Sequence, residues 1–389
     1  MQRYFDNAAT SFPKPDVVIE AILNYAEHCG ASPGRGAYTQ AVLATELLDA
    51  CRSQLRELVH APSTSHCVFT LNCTDALNIA LQGIAHHVLS KNEPVHIVTT
   101  AMDHNSVLRP LHALSKLGVT HTIVPANPET GLVIPEDIQR AITKTTRLVA
   151  VAHGSNITGT VQDIAKIGAL CGDIPFLVDA AQTMGHTPID VQAMHIDLLA
   201  FPGHKGLLGP LGTGGLILKS GMEHLLDPTR TGGTGSESEY PVQPKTMPDK
   251  YESGSHNMVG IAGLVASTRW ILDQGDALHK HERLRTKQFL DEIATIDGVR
   301  IAGPPTTANR CGVFSLVFET CPHEMAKALE IESGICVRSG LHCAPFAHQT
   351  MGTDVLGGTL RVSIGPFHTE EDITYLTQAI VACVQKCLV

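Results

Sequence analysis

No segment of the chain approaches the ~20 consecutive apolar residues of a membrane-spanning helix, because Asp, His, Gly or Lys interrupts the hydrophobic runs every few positions. The opening residues, Met1-Gln2-Arg3-Tyr4-Phe5-Asp6, lack the apolar stretch of a secretory leader, so a cytoplasmic location is expected. There is no excess of positive charge: 28 Lys and Arg face 38 Asp and Glu, a net charge of −10, which argues against nucleic acid as a partner. Internal repeats and low-complexity tracts are absent. None of the eleven cysteines belongs to the Cys-x-x-Cys pair of a zinc or thioredoxin-like site. Most are then expected to be buried small residues, with one or two reactive at most. At 389 residues the chain can bury a large core, and one large and one small domain are expected.

The most informative stretch runs from Phe176 to Lys205. An apolar run, Ile174–Val178, leads into Asp179-Ala180-Ala181-Gln182, and a second run, Ile196–Phe201, ends in Pro202-Gly203-His204-Lys205. Two buried strands would each deliver polar residues at their C-terminal ends, where open α/β sheets place ligand sites. A carboxylate and an amine would so converge on one crevice. Pyridoxal phosphate chemistry needs that pair, a lysine to hold the cofactor covalently and an acid to keep its ring nitrogen protonated. Taken singly, Asp179 also reads as a helix N-cap and the Gly-His-Lys turn as a solvated loop.

Other segments place polar turns after strands in the same way. Cys67–Leu71 reads as a strand, and Asn72-Cys73-Thr74-Asp75 opens a helix whose free N–H groups and dipole favour an anion; Thr74 is equally plausible as a plain cap. Val95–Thr100 ends in Asp103-His104 before a helix from Val107 to Leu117, and Leu148–Ala152 ends in His153-Gly154-Ser155-Asn156. Strands and helices alternate from Cys67 to Leu218, as a mostly parallel sheet requires. A Gly-, Ser- and Pro-rich loop covers 231–248, and from Asn257 a helical pattern leads into a second region whose strands are expected at Gly312–Phe318 and Ile335–Arg338.

The ordered pattern Asp179-x-x-Gln182 followed by Gly203-His204-Lys205 resembles the fold-type I pyridoxal phosphate enzymes of the class V aminotransferase family, most closely the cysteine desulfurases and selenocysteine lyases. The resemblance spans nearly the whole chain. It implies an α/β fold with a mostly parallel-sheet large domain (15–261) that binds pyridoxal 5'-phosphate, and a smaller α+β domain (1–14 and 262–389) that carries a cysteine loop. Lys205 would hold the cofactor, Asp179 its ring nitrogen, and Gln182 and Asn156 its periphery, Asn156 also being a candidate for the substrate carboxylate. His104 would stack on the ring and shuttle a proton. The phosphate would meet the Cys73 backbone, the Thr74 hydroxyl, His204 and, across a homodimer, Ser255 of the segment Tyr251–Asn257.

The resemblance also covers the substrate side. The segment Asp6-Asn7-Ala8-Ala9 would lie against the substrate at Ala8, and Arg361 would clamp the α-carboxylate. Cys343, in Arg338-Ser339-Gly340-Leu341-His342-Cys343-Ala344, would take sulfur from L-cysteine or selenium from L-selenocysteine, with Arg338 and His342 favouring its thiolate. A sulfur-acceptor protein is a further implied partner, and an aminotransferase would need Lys205, Asp179 and Arg361 without Cys343. Three positions depart from the pattern; at one of them Cys73 stands where a small or hydroxylated residue is usual. Pro202 cannot offer a phosphate-binding hydroxyl, and Gly34 replaces a histidine beside Arg35, an arginine placed by resemblance near the dimer interface.

Overall fold

The computed structural model describes residues 3–34 and 36–387, so Arg35 lies outside the described residues. A short strand β1 (Arg3–Tyr4) opens the chain, and the next seven strands form one sheet: β2 (Cys67–Thr70), β3 (His96–Thr100), β4 (Thr120–Val124), β5 (Thr146–Ala152), β6 (Phe176–Asp179), β7 (Leu198–Pro202) and β8 (Gly214–Leu218). Their order is β2-β8-β7-β6-β5-β3-β4, and every neighbouring pair is parallel except the two that β8 makes. Only β8 runs backward. The C-terminal ends of β2, β3, β5, β6 and β7 therefore share one edge of the sheet, and the polar turns that follow them meet there.

The central strands are apolar throughout because both faces are covered. Alternate residues divide between two cores, as the two-residue period of a strand dictates. Val149, Val151, Phe176, Val178, Leu199 and Phe201 pack with the helices Thr39–Leu58 and Met258–Gln274. On the other face Leu148, Ala150, Leu177, Leu198 and Ala200 meet the helices Cys73–Leu89 and Asn105–Ser115. Each such Leu or Phe contributes about 1.5–3 kcal/mol by leaving water, so the edge that bears the polar turns rests on a rigid layer.

The C-terminal part builds a four-stranded antiparallel sheet, β12-β13-β10-β9, from β9 (Arg300–Ala302), β10 (Val313–Val317), β12 (Arg338–Gly340) and β13 (Thr359–Ser363). Phe314, Leu316, Leu360 and Val362 pack there against Phe289 of the helix Asp276–Ile293 and against Ile373 and Ile380 of the helix Glu370–Cys387. One strand expected over 335–338 is divided: β11 (Ile335–Cys336) pairs in parallel with β1, whereas β12 joins β13. Val337 lies between them, where the chain passes from one sheet to the other. The helix Met258–Gln274 continues unbroken through the expected domain boundary at 261 and 262. Residues 231–248 contain no helix or strand, and among the described residues no helix is long and apolar enough to cross a membrane.

Candidate active site

At the C-terminal ends of β6 and β7 a cavity is lined by Asp179, Gln182, Pro202, His204 and Lys205. Asp179 closes β6 and is 5% exposed; one oxygen, Oδ1, accepts both the Ala181 N–H at 2.9 Å and the Cys73 thiol at 3.3 Å. Those two donors fix the carboxylate's orientation. Lys205 follows β7 after a turn in which a Cβ on Gly206 would collide with the Met184 carbonyl, so only glycine lets the lysine's backbone lie this close to the neighbouring loop. Desolvation pulls the Lys205 ammonium below its ordinary pKa, an effect that Asp179 and Cys73 oppose and that Arg361 and Arg338 reinforce.

The carbonyl of His204, one residue before that lysine, gathers four donors from the N-terminal segment. They are Ser11 N–H at 3.0 Å, Ser11 Oγ at 3.0 Å, Thr10 Oγ1 at 3.1 Å and Lys14 Nζ at 3.2 Å. The same segment reaches Gln182, whose Nε2 donates to the Ala8 carbonyl at 3.0 Å. Burial lowers Lys14 to about 8. Burial, with help from Lys205 and Lys14, lowers the His204 imidazole to about 4, and its buried Nδ1 has no partner.

The third wall comes from β3 and β2. Asp103, fully buried, accepts Thr99 Oγ1 at 2.7 Å, Thr100 N–H at 2.6 Å and Thr100 Oγ1 at 2.8 Å on one oxygen and Ala152 N–H at 2.6 Å on the other. It so ties the ends of β3 and β5 together and sets the start of the next helix, where His104 is the N-cap. The Nδ1 of His104 accepts the Ser106 N–H at 3.1 Å, so its neutral ring carries the proton on Nε2. Burial lowers His104 to about 4, although Asp179 acts in the opposite direction. Ser106 Oγ lies 2.9 Å from His104 Nδ1 and 2.7 Å from Thr74 Oγ1. Thr74 and Cys73 begin the helix capped by Asn72, whose Oδ1 accepts the Asp75 N–H at 2.9 Å. Its first-turn N–H groups, two hydroxyls and an imidazole are grouped where an anion fits.

Arg361 and the cysteine loop, the residues expected on the substrate side, come with the small sheet. Arg361 on β13 is 3% exposed, donates from Nη2 to Asp6 Oδ1 at 2.7 Å, and reaches the Asn156 carbonyl only weakly, at 3.4 Å. Arg338 on β12 is its direct cross-strand partner. The cysteine loop is a tight turn in which His342 and Cys343 both have positive φ, 46° and 61°. Two hydrogen bonds moor it to the large sheet: Asn156 Nδ2 to the His342 carbonyl at 2.7 Å and Asn105 N–H to the Cys343 carbonyl at 2.8 Å. Cys343 is one of two exposed cysteines among the ten described as free, while six are buried. The expected help from His342 is not available. Burial, then Arg361, lowers its imidazole to about 3, so the ring is neutral and the positive charge near the loop comes from the arginines.

Of the residues expected from sequence, Cys73, Thr74, His104, Asn156, Asp179, Gln182, His204 and Lys205 line the one cavity. Arg361 and Cys343 are joined to its rim through Asn156 without lining it. Ala8 lies behind Gln182, and Ser255 is exposed beside a separate cavity with Gly212, Thr213 and His256. Sequence reasoning gave no role to Ser106, Lys14 or the side chain of Asp6. Ser106 had a local signal, a hydroxyl two residues past His104; the partner of Asp6 is 355 residues away and had none.

The class-V aminotransferase family model matches residues 3–376. The chain belongs to this family. Its fold is accordingly the family's: an α/β architecture with a large, mostly parallel sheet and a smaller unit. A probable cysteine desulfurase of Methanothermobacter thermautotrophicus is 37% identical over 385 residues, covering 97% of this chain and 93% of the relative. One from Halalkalibacterium halodurans is 34% identical, with 97% and 92% covered. Among solved structures, a cysteine desulfurase from Thermococcus onnurineus superposes with a TM-score of 0.89 at 31% identity, covering 99% of this chain and 95% of the other. The Escherichia coli cysteine desulfurase CsdA, in an S-sulfonic acid form, gives 0.86 at 27% identity, with the same coverage.

Proposed function

We propose that this class-V family member is a pyridoxal phosphate-dependent cysteine desulfurase that transfers sulfur from L-cysteine to Cys343 and releases L-alanine. The observation that carries the reading is the mooring of an exposed cysteine, through Asn156 and Asn105, to the rim of a cavity that holds Lys205 and Asp179 together. The cavity's donors suit the cofactor. A buried lysine suits a covalent hold on the cofactor's aldehyde, an oriented carboxylate suits a ring nitrogen, and the helix start with Thr74, Ser106 and His204 suits a phosphate that Pro202 does not grip.

When bound, pyridoxal phosphate supplies the electron sink that makes the substrate Cα–H acidic. Lys205 Nζ would hold the cofactor and, when free, would take the Cα proton; burial lowers its basicity. Asp179 would keep the ring nitrogen protonated, and His104, lining the same cavity, would stack on the ring. Arg361 receives the α-carboxylate. Cys343 Sγ, as thiolate, would attack the substrate sulfur: an S–S bond forms, the Cβ–S bond breaks, the substrate thiol's hydrogen stays on the outer sulfur, and the electron pair left on Cβ takes up a proton, with His104 the candidate donor, to give alanine.

The working unit in this reading is a homodimer. Arg52 and Glu252 form a buried two-point pair, at 2.8 and 2.7 Å, that anchors the segment bearing Ser255, which is exposed and lines a different cavity from Lys205. Val17, Ile19 and Leu23 on the helix Asp16–Asn24 and Val42 and Leu43 on the helix Thr39–Leu58 are exposed apolar residues for a second copy to cover. Incubating the purified protein with L-cysteine tests the activity. Alanine and protein-bound sulfur in equal amounts are expected, whereas a keto acid without alanine would make the chain an aminotransferase. Mixed dimers of Lys205→Ala and Ser255→Asp chains, each inactive alone, should regain activity; verified heterodimers that stay inactive would refute the shared site.

A further inference from the structure

Arg361 presents an unusual arrangement of charge. It is 3% exposed, and its register partner across β12 and β13 is Arg338, a second cation. Like charges directly opposite one another on antiparallel strands repel, and a buried guanidinium needs an anion. The only carboxylate bonded to it among the described residues is Asp6, and Asp6 meets it at one point, Nη2 to Oδ1 at 2.7 Å. The rest of the fork is under-used: Nη1 has a single long contact at 3.4 Å, and Nε is buried with no partner. A guanidinium can serve a carboxylate at two points, and a two-point contact is stronger than a single one.

We infer that Asp6 is an internal competitor for Arg361, a carboxylate built into the chain that draws on the same guanidinium as the substrate's α-carboxylate and so sets how tightly the site takes carboxylates. The inference rests on the reading of Arg361 as the substrate-carboxylate residue. Asp6 is well placed for the role because its backbone is held independently of its side chain. Its carbonyl accepts the Tyr4 hydroxyl at 3.2 Å and the Ala9 N–H at 3.0 Å, and the next residues are fixed by Asn7 Nδ2 to the Ser363 carbonyl at 3.3 Å and Ala8 N–H to Ser363 Oγ at 2.9 Å. The carboxylate can thus give way to another anion without unseating the segment that also grips Gln182 and the His204 carbonyl. Asp6 is a positioning residue here, acting through Arg361.

The test compares wild-type holoenzyme with Asp6→Asn, which keeps the shape and removes the charge, using propionate as the probe. Asp6→Asn should bind propionate about tenfold more tightly by calorimetry, the order of one close charge pair, and should gain more thermal stability from added propionate than wild type does. The KM for L-cysteine should fall by a larger factor than kcat changes, while inhibition by cysteamine, which has the amine and thiol without a carboxylate, should not move. Propionate affinity that is unchanged or weaker in Asp6→Asn, together with its loss in Arg361→Gln, would overturn the competitor and leave Arg361 in its role. An Arg361→Gln enzyme that binds propionate as wild type does would overturn the reading of Arg361 itself. Should the asparagine variant not fold, Asp6→Ser removes the same charge and carries the same expectations.

Discussion

The two sides of the site are built by different means. The lysine side is made of turns that close five strand ends of one sheet, with Asp103 clamping β3 to β5 and Asp179 held by two donors. The cysteine loop follows a strand of another sheet and is moored by two bonds, Asn156 to the His342 carbonyl and Asn105 to the Cys343 carbonyl, while Arg361 beside it holds Asp6 of the N-terminal segment. The lysine side has the rigidity of a two-faced core, whereas the cysteine side is a strained turn on a few moorings. The difference suits the division of labour. In the proposed reaction a cofactor would be kept through every turnover, whereas the side chain that accepts sulfur would have to enter the site and leave it again.

The contrast is broken most severely at Lys205. Lys205→Ala should lower alanine formation by about 10⁴-fold or more, because both the covalent hold and the proton carrier vanish. The wild-type protein should be yellow as purified and should retain the cofactor on Lys205 after borohydride; a Lys205→Ala enzyme with the same colour and the same borohydride-resistant label would remove the lysine from the mechanism. On the opposite side, Cys343→Ser should cost about 10²-fold in turnover of L-cysteine, a nucleophile's contribution, and leave colour and cofactor content intact. Wild-type alanine production by Cys343→Ser would return Cys343 to the status of an ordinary surface thiol.

These two sides also differ in how far they can be read from sequence. The lysine side was legible because its determinants are local: an apolar run that ends in Asp179, another that ends in His204-Lys205, and a helix start at Cys73-Thr74, each a strand end followed by a polar turn. The sheet that aligns those ends follows from the same alternation. On the cysteine side the loop could be found by resemblance, but its electrostatics could not. His342 looked like a cation until burial and Arg361 were seen to keep it neutral, and the pairing of Arg361 with Asp6 and its register with Arg338 depend on a fold that joins residues 355 positions apart. The division of 335–338 between two sheets was illegible for the same reason, since nothing local to Val337 states which strand each neighbour will meet.

A milder perturbation sharpens the comparison at the seam itself. Asn156→Ala removes the bond to the His342 carbonyl while leaving its own backbone carbonyl facing Arg361. Losing one such bond at a partly buried loop should slow sulfur transfer about tenfold. Backbone amides of residues 340–344 should exchange with deuterium faster, and those of 198–206 at the wild-type rate. Equal acceleration in both segments would mean that the lysine side leans on the cysteine side after all.

The smallest effect expected is on stability, and it touches both sides at once. Burial leads the causes that lower His104 and His204 to about 4 beside the lysine, and His342 to about 3 and His348 to about 4 beside the cysteine, from an ordinary value of 6.5. Between pH 6.5 and about 4 the unfolded chain takes up protons at these positions that the folded chain refuses, so the folded state loses stability as pH falls through that window. His186 works the other way. Glu282, 2.8 Å away, raises it despite burial, and the stabilisation from that pair is complete below 6.5 and fades as pH rises through the raised value. Burial lowers His96, His121, His153, His256 and His368 as well, so the imidazoles that favour unfolding in acid outnumber His186, and the urea midpoint should drop steadily from pH 7 to pH 5. His348 offers the cleanest dissection because it packs its Nδ1 against Thr353 Oγ1 at 2.7 Å, a contact glutamine can imitate without titrating. His348→Gln should make the pH dependence measurably shallower, by one histidine's share. A slope identical to wild type would show that the acid sensitivity of the fold is set elsewhere.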